Sequence, residues 1–100
     1  MSITDFQALQ DRIEAFQRSR FPEQKLAGKF AHLAREVAEL RANPDDPMEW
    51  ADVTILLFGA AAMHEISAAA LLQNAEAKLK ICEARKWVPA DEHGVHHHIE

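Results

Sequence analysis

The sequence predicts an all-α fold: a four-helix, bundle-like protomer that assembles into a homo-oligomer. Three observations carry that expectation. Ala and Leu are abundant, Gly (3) and Pro (4) are scarce and Tyr is absent, a balance that favours helix over sheet. Apolar residues recur at spacings of three and four along four segments, the period of amphipathic helices. The third segment, WADVTILLFGAAAM, is apolar nearly all round. A helix of that kind is buried on most sides, and a chain of 100 residues has few other helices to cover it. An isologous second copy is the expected cover.

Composition narrows the class. Hydrophobic residues make up 48% and charged residues 27%, as in a soluble globular protein. The length fits one domain over residues 1–100. A net charge of −5 argues against a general nucleic-acid-binding surface. One cysteine, Cys82, precludes a disulfide within the chain and suits a reducing, cytoplasmic setting. The first twenty residues are amphipathic and charged, so no signal peptide is expected. The longest apolar run, Val53 to Met63, contains Thr54 and Gly59 and is shorter than a bilayer span, so no membrane partner is expected.

Helix one is predicted over residues 4–20. Thr4 with Gln7 fits a capping box, and Ile3 is placed to fix the approach of the chain. Phe6, Leu9, Ile13 and Phe16 form its stripe. Arg18 and Arg20 suit the negative end of the helix dipole, and Phe21-Pro22 ends the helix. Helix two is predicted over 23–41, with Leu26, Phe30, Leu33, Val37 and Leu40 as its stripe. Asn43-Pro44 breaks the chain. Helix three, over 47–63, has Asp46 as N-cap and Pro47 at the first helical position. Helix four, over 67–87, is capped by Ser67, and Leu71, Leu72, Ala75, Leu79 and Cys82 form its seam. Pro89 ends the regular structure, and the short polar tail ADEHGVHHHIE is expected to fray.

Four carboxylates stand out. Glu36 with Glu39 and Glu49 with Asp52 share an i, i+3 spacing, one pair on each side of the Asn43-Pro44 break. Residues three apart lie about 60° round a helix axis and one turn along. Each pair therefore leaves one face, and two packed helices can aim all four groups at one spot. Four acidic groups so placed repel one another unless a cation sits between them. Hard oxygen ligands at that density suit Mg²⁺, with Mn²⁺ as the alternative. A bland reading competes, because isolated acidic pairs are common on helix surfaces and Glu49 sits where a capping-box Glu would follow Asp46.

On helix four, Lys78, Cys82 and Arg85 recur at spacings of four and three and share one flank. Opposite a metal–carboxylate site, the Lys and the Arg would hold phosphate oxygens; without one, they are snorkelling surface cations. His32 reads as a polar residue at the bundle edge. Cys82 reads as a small residue on the seam.

The motifs EVAE, EWAD and KLKICEAR resemble the ExxE, ExxD and Lys-xxx-Asn-xx-Arg signature of the all-α, MazG-like nucleoside triphosphate pyrophosphohydrolases. HLAREVAEL, EWADVTILLFGAA, ISAAALLQNAEAKL and ARKW are most similar to the dATP/dGTP pyrophosphohydrolase family. The resemblance implies metal-dependent hydrolysis of a nucleoside triphosphate, a purine dNTP, to the monophosphate and pyrophosphate. It implies Glu36, Glu39, Glu49 and Asp52 as metal ligands, with Glu39 and Glu36 as the catalytic carboxylates. It implies Lys78, Arg85 and Cys82 as substrate contacts, and a homo-dimer or tetramer. Two residues depart from the pattern. Arg35 stands where many members carry a further Glu, and Cys82 stands where Asn is usual; a thiol is a poor substitute for a carboxamide. Both favour the alternative, a helical interaction or nucleotide-binding module without turnover.

Overall fold

The computed structural model describes residues 2–99. Four helices carry the fold: α1 (Ile3–Arg20), α2 (Leu26–Ala42), α3 (Pro47–Met63) and α4 (Ala68–Ala84). No single helix among the described residues is long and apolar enough to cross a membrane.

The caps explain where the helices begin. Ser2, not Thr4, caps α1. The Ser2 hydroxyl accepts from the Asp5 N–H at 3.2 Å, and the Asp5 carboxylate accepts from the Ser2 N–H at 2.9 Å. This reciprocal box uses a charged carboxylate at the positive end of the helix, where the Thr4–Gln7 pair offers only a neutral amide. At α2 the turn after Phe21 persists to Lys25, the N-cap, so the helix starts later than residue 23. Asp46 caps α3 as predicted, accepting from the Met48 N–H at 2.9 Å, with Pro47 at the first position. Ser67 caps α4, accepting from the Ala70 N–H at 3.1 Å.

The far end of α4 departs from expectation. The helix stops at Ala84, and Arg85 is already extended. The Trp87 indole N–H donates to the Cys82 carbonyl at 2.9 Å, which also accepts from the Arg85 N–H at 3.3 Å, so two donors close the end of the helix. The described part of the tail, to Ile99, does not fray. It folds back on itself, with Val88 N–H to His97 O at 2.8 Å and Ile99 N–H to Lys86 O at 2.7 Å. Asp91 sets the turn by accepting from the His93 and Val95 N–H groups, each at 2.9 Å.

Packing defines a cleft. α2 packs on α3 alone, while α1 packs on α3 and α4. α1 and α2 therefore flank a gap floored by α3. Ile13, Phe58 and Ala68 form the core, with Phe6, Leu9 and Leu71 against them. Phe6 and Phe58 meet edge to face at 6.4 Å. Phe16, the fourth member of the predicted α1 stripe, is 51% exposed. The row facing α3 is Gln10, Ile13 and Gln17.

Gln10 is 2% exposed. Its amide N–H₂ donates to Phe58 O at 3.2 Å and Ile66 O at 2.9 Å, and its oxygen accepts from the Ala68 N–H at 2.7 Å. One side chain thus ties the end of α3, the following turn and an orphan N–H at the start of α4. Gln17 donates to Gly59 O at 3.3 Å. Gly59 lies so close beneath it that any Cβ there would run into the Gln17 amide. Leu57 on α3 and Leu79 and Ile81 on α4 are exposed apolar side chains.

Candidate metal and nucleotide site

The turn between α2 and α3 brings the two carboxylate pairs together. The Trp50 indole N–H donates to the Pro44 carbonyl at 2.9 Å, pinning the turn to the first turns of α3. Trp50 therefore acts here as a brace. One carboxylate oxygen from each of Glu36, Glu49 and Asp52 lies within 4.8 Å of the other two. Glu39 borders this trio: its charge acts on both Glu36 and Glu49, but it is exposed and stands outside the closest set.

The electrostatics are those of crowded acids. Partial burial holds the Glu36 carboxyl above the usual carboxylate range, reinforced by contact with Glu39 and by the charges of Glu39 and Asp52. His32 opposes this shift from 3.4 Å away. The Glu49 carboxyl is raised the same way, first by burial and then by Glu39, Asp52 and Asp46. Glu36 Oε2 and Glu49 Oε2 are shielded from solvent and have no hydrogen-bond partner among the described residues. Shielded acceptors without donors are costly. Together with an all-carboxylate donor set, they fit a hard divalent cation such as Mg²⁺ or Mn²⁺.

The capping-box alternative for Glu49 fails on geometry. The Asp46 N–H is already bonded to Asn43 O at 3.2 Å, and Asp46 directs its own side chain to Met48.

Lys78 and Cys82 lie on α4, and Arg85 is its C-cap. Lys78 is exposed, and Cys82 and Arg85 are half-buried. The Arg85 guanidinium lies 3.4 Å from His98 Nδ1. None of the three pairs with the four carboxylates among the described residues, and α4 does not pack on α2.

Lys29 was not read as a site residue from the sequence. It is 3% exposed, and burial lowers its ammonium below the ordinary lysine value. It lines a pocket of about 340 Å³ in the α1–α2 cleft that also reaches Glu36 and Asp52. The signal was present: Lys29, His32 and Glu36 are spaced i, i+3, i+7 and share one face of α2.

Four helices with facing ExxE and ExxD carboxylates define a nucleotide pyrophosphohydrolase of the MazG-like, all-α class. The chain is similar to a solved structure described as a cyanophage S-2L MazG-like pyrophosphohydrolase bound to dGDP and three catalytic Mn²⁺ ions per active site. The TM-score is 0.81 at 32% identity, covering 100% of this chain and 99% of that one. It is 34% identical over 91 residues to a dATP/dGTP diphosphohydrolase of cyanophage S-2L, covering 89% of this chain and 84% of that protein. The family model for dATP/dGTP pyrophosphohydrolase matches residues 9–100, and the chain belongs to that family.

Proposed function

We propose that the protein hydrolyses a purine deoxynucleoside triphosphate to the monophosphate and pyrophosphate, using Mg²⁺ or Mn²⁺ held by Glu36, Glu39, Glu49 and Asp52. The observation that carries this reading is the Glu36–Glu49–Asp52 trio, with its oxygens within 4.8 Å and two of them shielded and unpartnered. Bound there, a divalent cation supplies positive charge to phosphate oxygens and acidifies a water.

The chain's own groups divide the remaining work. Glu36 and Glu49 bind in their ionised forms. His32 holds one oxygen of Glu36 and leaves the other free. Glu39, exposed beside the trio, accepts the proton of the attacking water. Lys78 and Arg85 hold the phosphate tail. α4 packs on α1 and α3 but not on α2, and in this reading the two cations serve the carboxylates of a neighbouring subunit in a homo-dimer or tetramer. The exposed apolar side chains Leu57, Leu79 and Ile81 favour such an assembly.

One observation favours a nucleotide-binding module without turnover: Cys82 is half-buried where the family motif has a carboxamide. Incubation with each dNTP and Mg²⁺ or Mn²⁺, reading pyrophosphate, decides between the two. Release from dATP or dGTP is expected. Nucleotide-dependent stabilisation with no pyrophosphate from any dNTP would favour the module instead.

A further inference from the structure

We propose that Lys29 selects 6-oxopurines: its ammonium donates to O6 and N7 of a guanine-type base, making the site prefer dGTP to dATP. The inference rests on the nucleotide-site reading of the carboxylates. Its starting point is a lysine whose stem is enclosed in the fold and whose ammonium has no counter-ion. Lys29 is 3% exposed, yet it makes no ion pair with a carboxylate among the described residues. The cation that acts on Glu36 is His32. The cleft covers the lysine stem and leaves its ammonium at the pocket without a carboxylate, placed to donate to an acceptor that a ligand brings.

The pocket says what kind of acceptor. It has a volume of about 340 Å³, within the range of small-molecule sites. Ile55 and Leu56 line its α3 side, and Phe16 and Phe21 line the side nearest α1. The two phenyl rings meet edge to face at 5.7 Å, and both are about half exposed. Exposed ring faces beside apolar walls suit a planar heterocycle.

Distance separates base from phosphate. Glu36 and Asp52 line the same pocket as Lys29. Seven residues of α2 from Lys29 to Glu36 span about 10 Å at the helical rise. That is the scale of a nucleoside from its 5′ oxygen to the far edge of a purine. With the phosphates at the carboxylates, Lys29 falls at the base edge. Guanine presents two adjacent acceptors there, O6 and N7, a pattern that lysine reads. Adenine presents N7 beside an amino donor, which loses one hydrogen bond and points N–H at a cation.

The test measures the melting temperature of wild type, Lys29→Met and Lys29→Arg with Mn²⁺ and dGDP, dIDP or dADP. It is paired with pyrophosphate release from the corresponding triphosphates. dIDP has O6 and N7 but no 2-amino group, so it isolates the contact in wild type without a mutation. Wild type should be stabilised more by dGDP and dIDP than by dADP. Lys29→Met should lose affinity for both oxopurines by roughly tenfold to a hundredfold and change dADP by less than about threefold. Lys29→Arg should restore the preference. Equal stabilisation of wild type by dIDP and dADP overturns the inference. So does a Met variant that weakens all three alike, which would place Lys29 at the phosphates or in the fold. A base preference without pyrophosphate release overturns the hydrolase reading alone. No stabilisation by any nucleotide overturns both.

Discussion

His32 Nε2 stands 3.4 Å from Glu36 Oε1, one helical turn earlier on α2. The other Glu36 oxygen is shielded and unpartnered. The imidazole thus fixes the carboxylate's orientation and leaves its second oxygen for a metal, the usual role of a residue behind a metal ligand. His32→Phe keeps an aromatic ring and removes the polar contact with Glu36. Mn²⁺ affinity by isothermal calorimetry should fall roughly tenfold to a hundredfold, with pyrophosphate release falling in parallel. Unchanged Mn²⁺ affinity would reduce His32 to a polar residue at the helix edge.

The carboxylate trio predicts a particular link between pH, charge and metal. The carboxyls of Glu36 and Glu49 are raised above their ordinary values, so the folded metal-free protein favours their protonated forms. Their contribution to stability is present below the unfolded-state pKa of about 4.3 and is lost as pH rises through the raised folded values. Asp5 and Asp91 are lowered by hydrogen bonds from the backbone and act in the opposite sense. Their contribution is lost only as pH falls below the ordinary aspartate range. Above the ordinary glutamate range these two glutamates, and not the two aspartates, therefore act on the profile. Metal-free Glu36→Gln and Asp52→Asn should melt no lower than wild type there, because repulsion is relieved. Stabilisation by Mn²⁺ should grow with pH in wild type and shrink in both variants. Identical metal responses in all three proteins would remove the metal site.

Gln10 is the strongest structural commitment in the protomer, and its role is independent of chemistry. Its amide serves Phe58 O, Ile66 O and the Ala68 N–H. Gln10→Leu preserves volume but strands buried donors and acceptors, each worth about 1–3 kcal/mol. Urea denaturation should show a loss of about 3 kcal/mol with an unchanged m-value. A loss under about 0.5 kcal/mol, the size of an ordinary surface substitution, would mean that water replaces the amide.

Gln10 also marks where reading the sequence stopped. Helical periodicity, Asp46, Pro47 and Ser67 carry enough local information to place α3 and the start of α4. The ExxE and ExxD pairs name the carboxylates because their spacing maps directly onto one helix face. A search for apolar stripes, however, passes over buried polar residues. Gln10, Gln17 and Lys29 occupy interior positions that an apolar pattern assigns to the surface. Their burial depends on tertiary partners: Phe58 O, Gly59 O and the α1–α2 cleft. The tail fails for a similar reason. Its order comes from Asp91 and the Trp87–His98 bridge, pairings that composition does not reveal.

The position of α4 leads to a test of where the phosphate ligands come from. Lys78 lies on α4 and Arg85 just past its end, α4 does not pack on α2, and in the proposed site a second subunit brings these cations to the carboxylates. Light scattering should find an oligomer at micromolar concentration. Asp52→Asn and Arg85→Ala should each abolish or greatly reduce pyrophosphate release when purified alone. Co-expressed with distinct tags and purified as the mixed dimer, one variant contributes intact carboxylates and the other an intact Arg85. One of the two sites is then complete, so the mixed dimer should recover about half of wild-type activity. Subunits sampled without selection for the mixed species should recover about a quarter, since half the dimers are mixed. If each site draws Lys78 and Arg85 from its own chain, both sites of the mixed dimer are damaged and no activity returns. That result would place α4 against its own α2 during turnover, and the assembled enzyme would have to differ from the protomer in the packing of that helix.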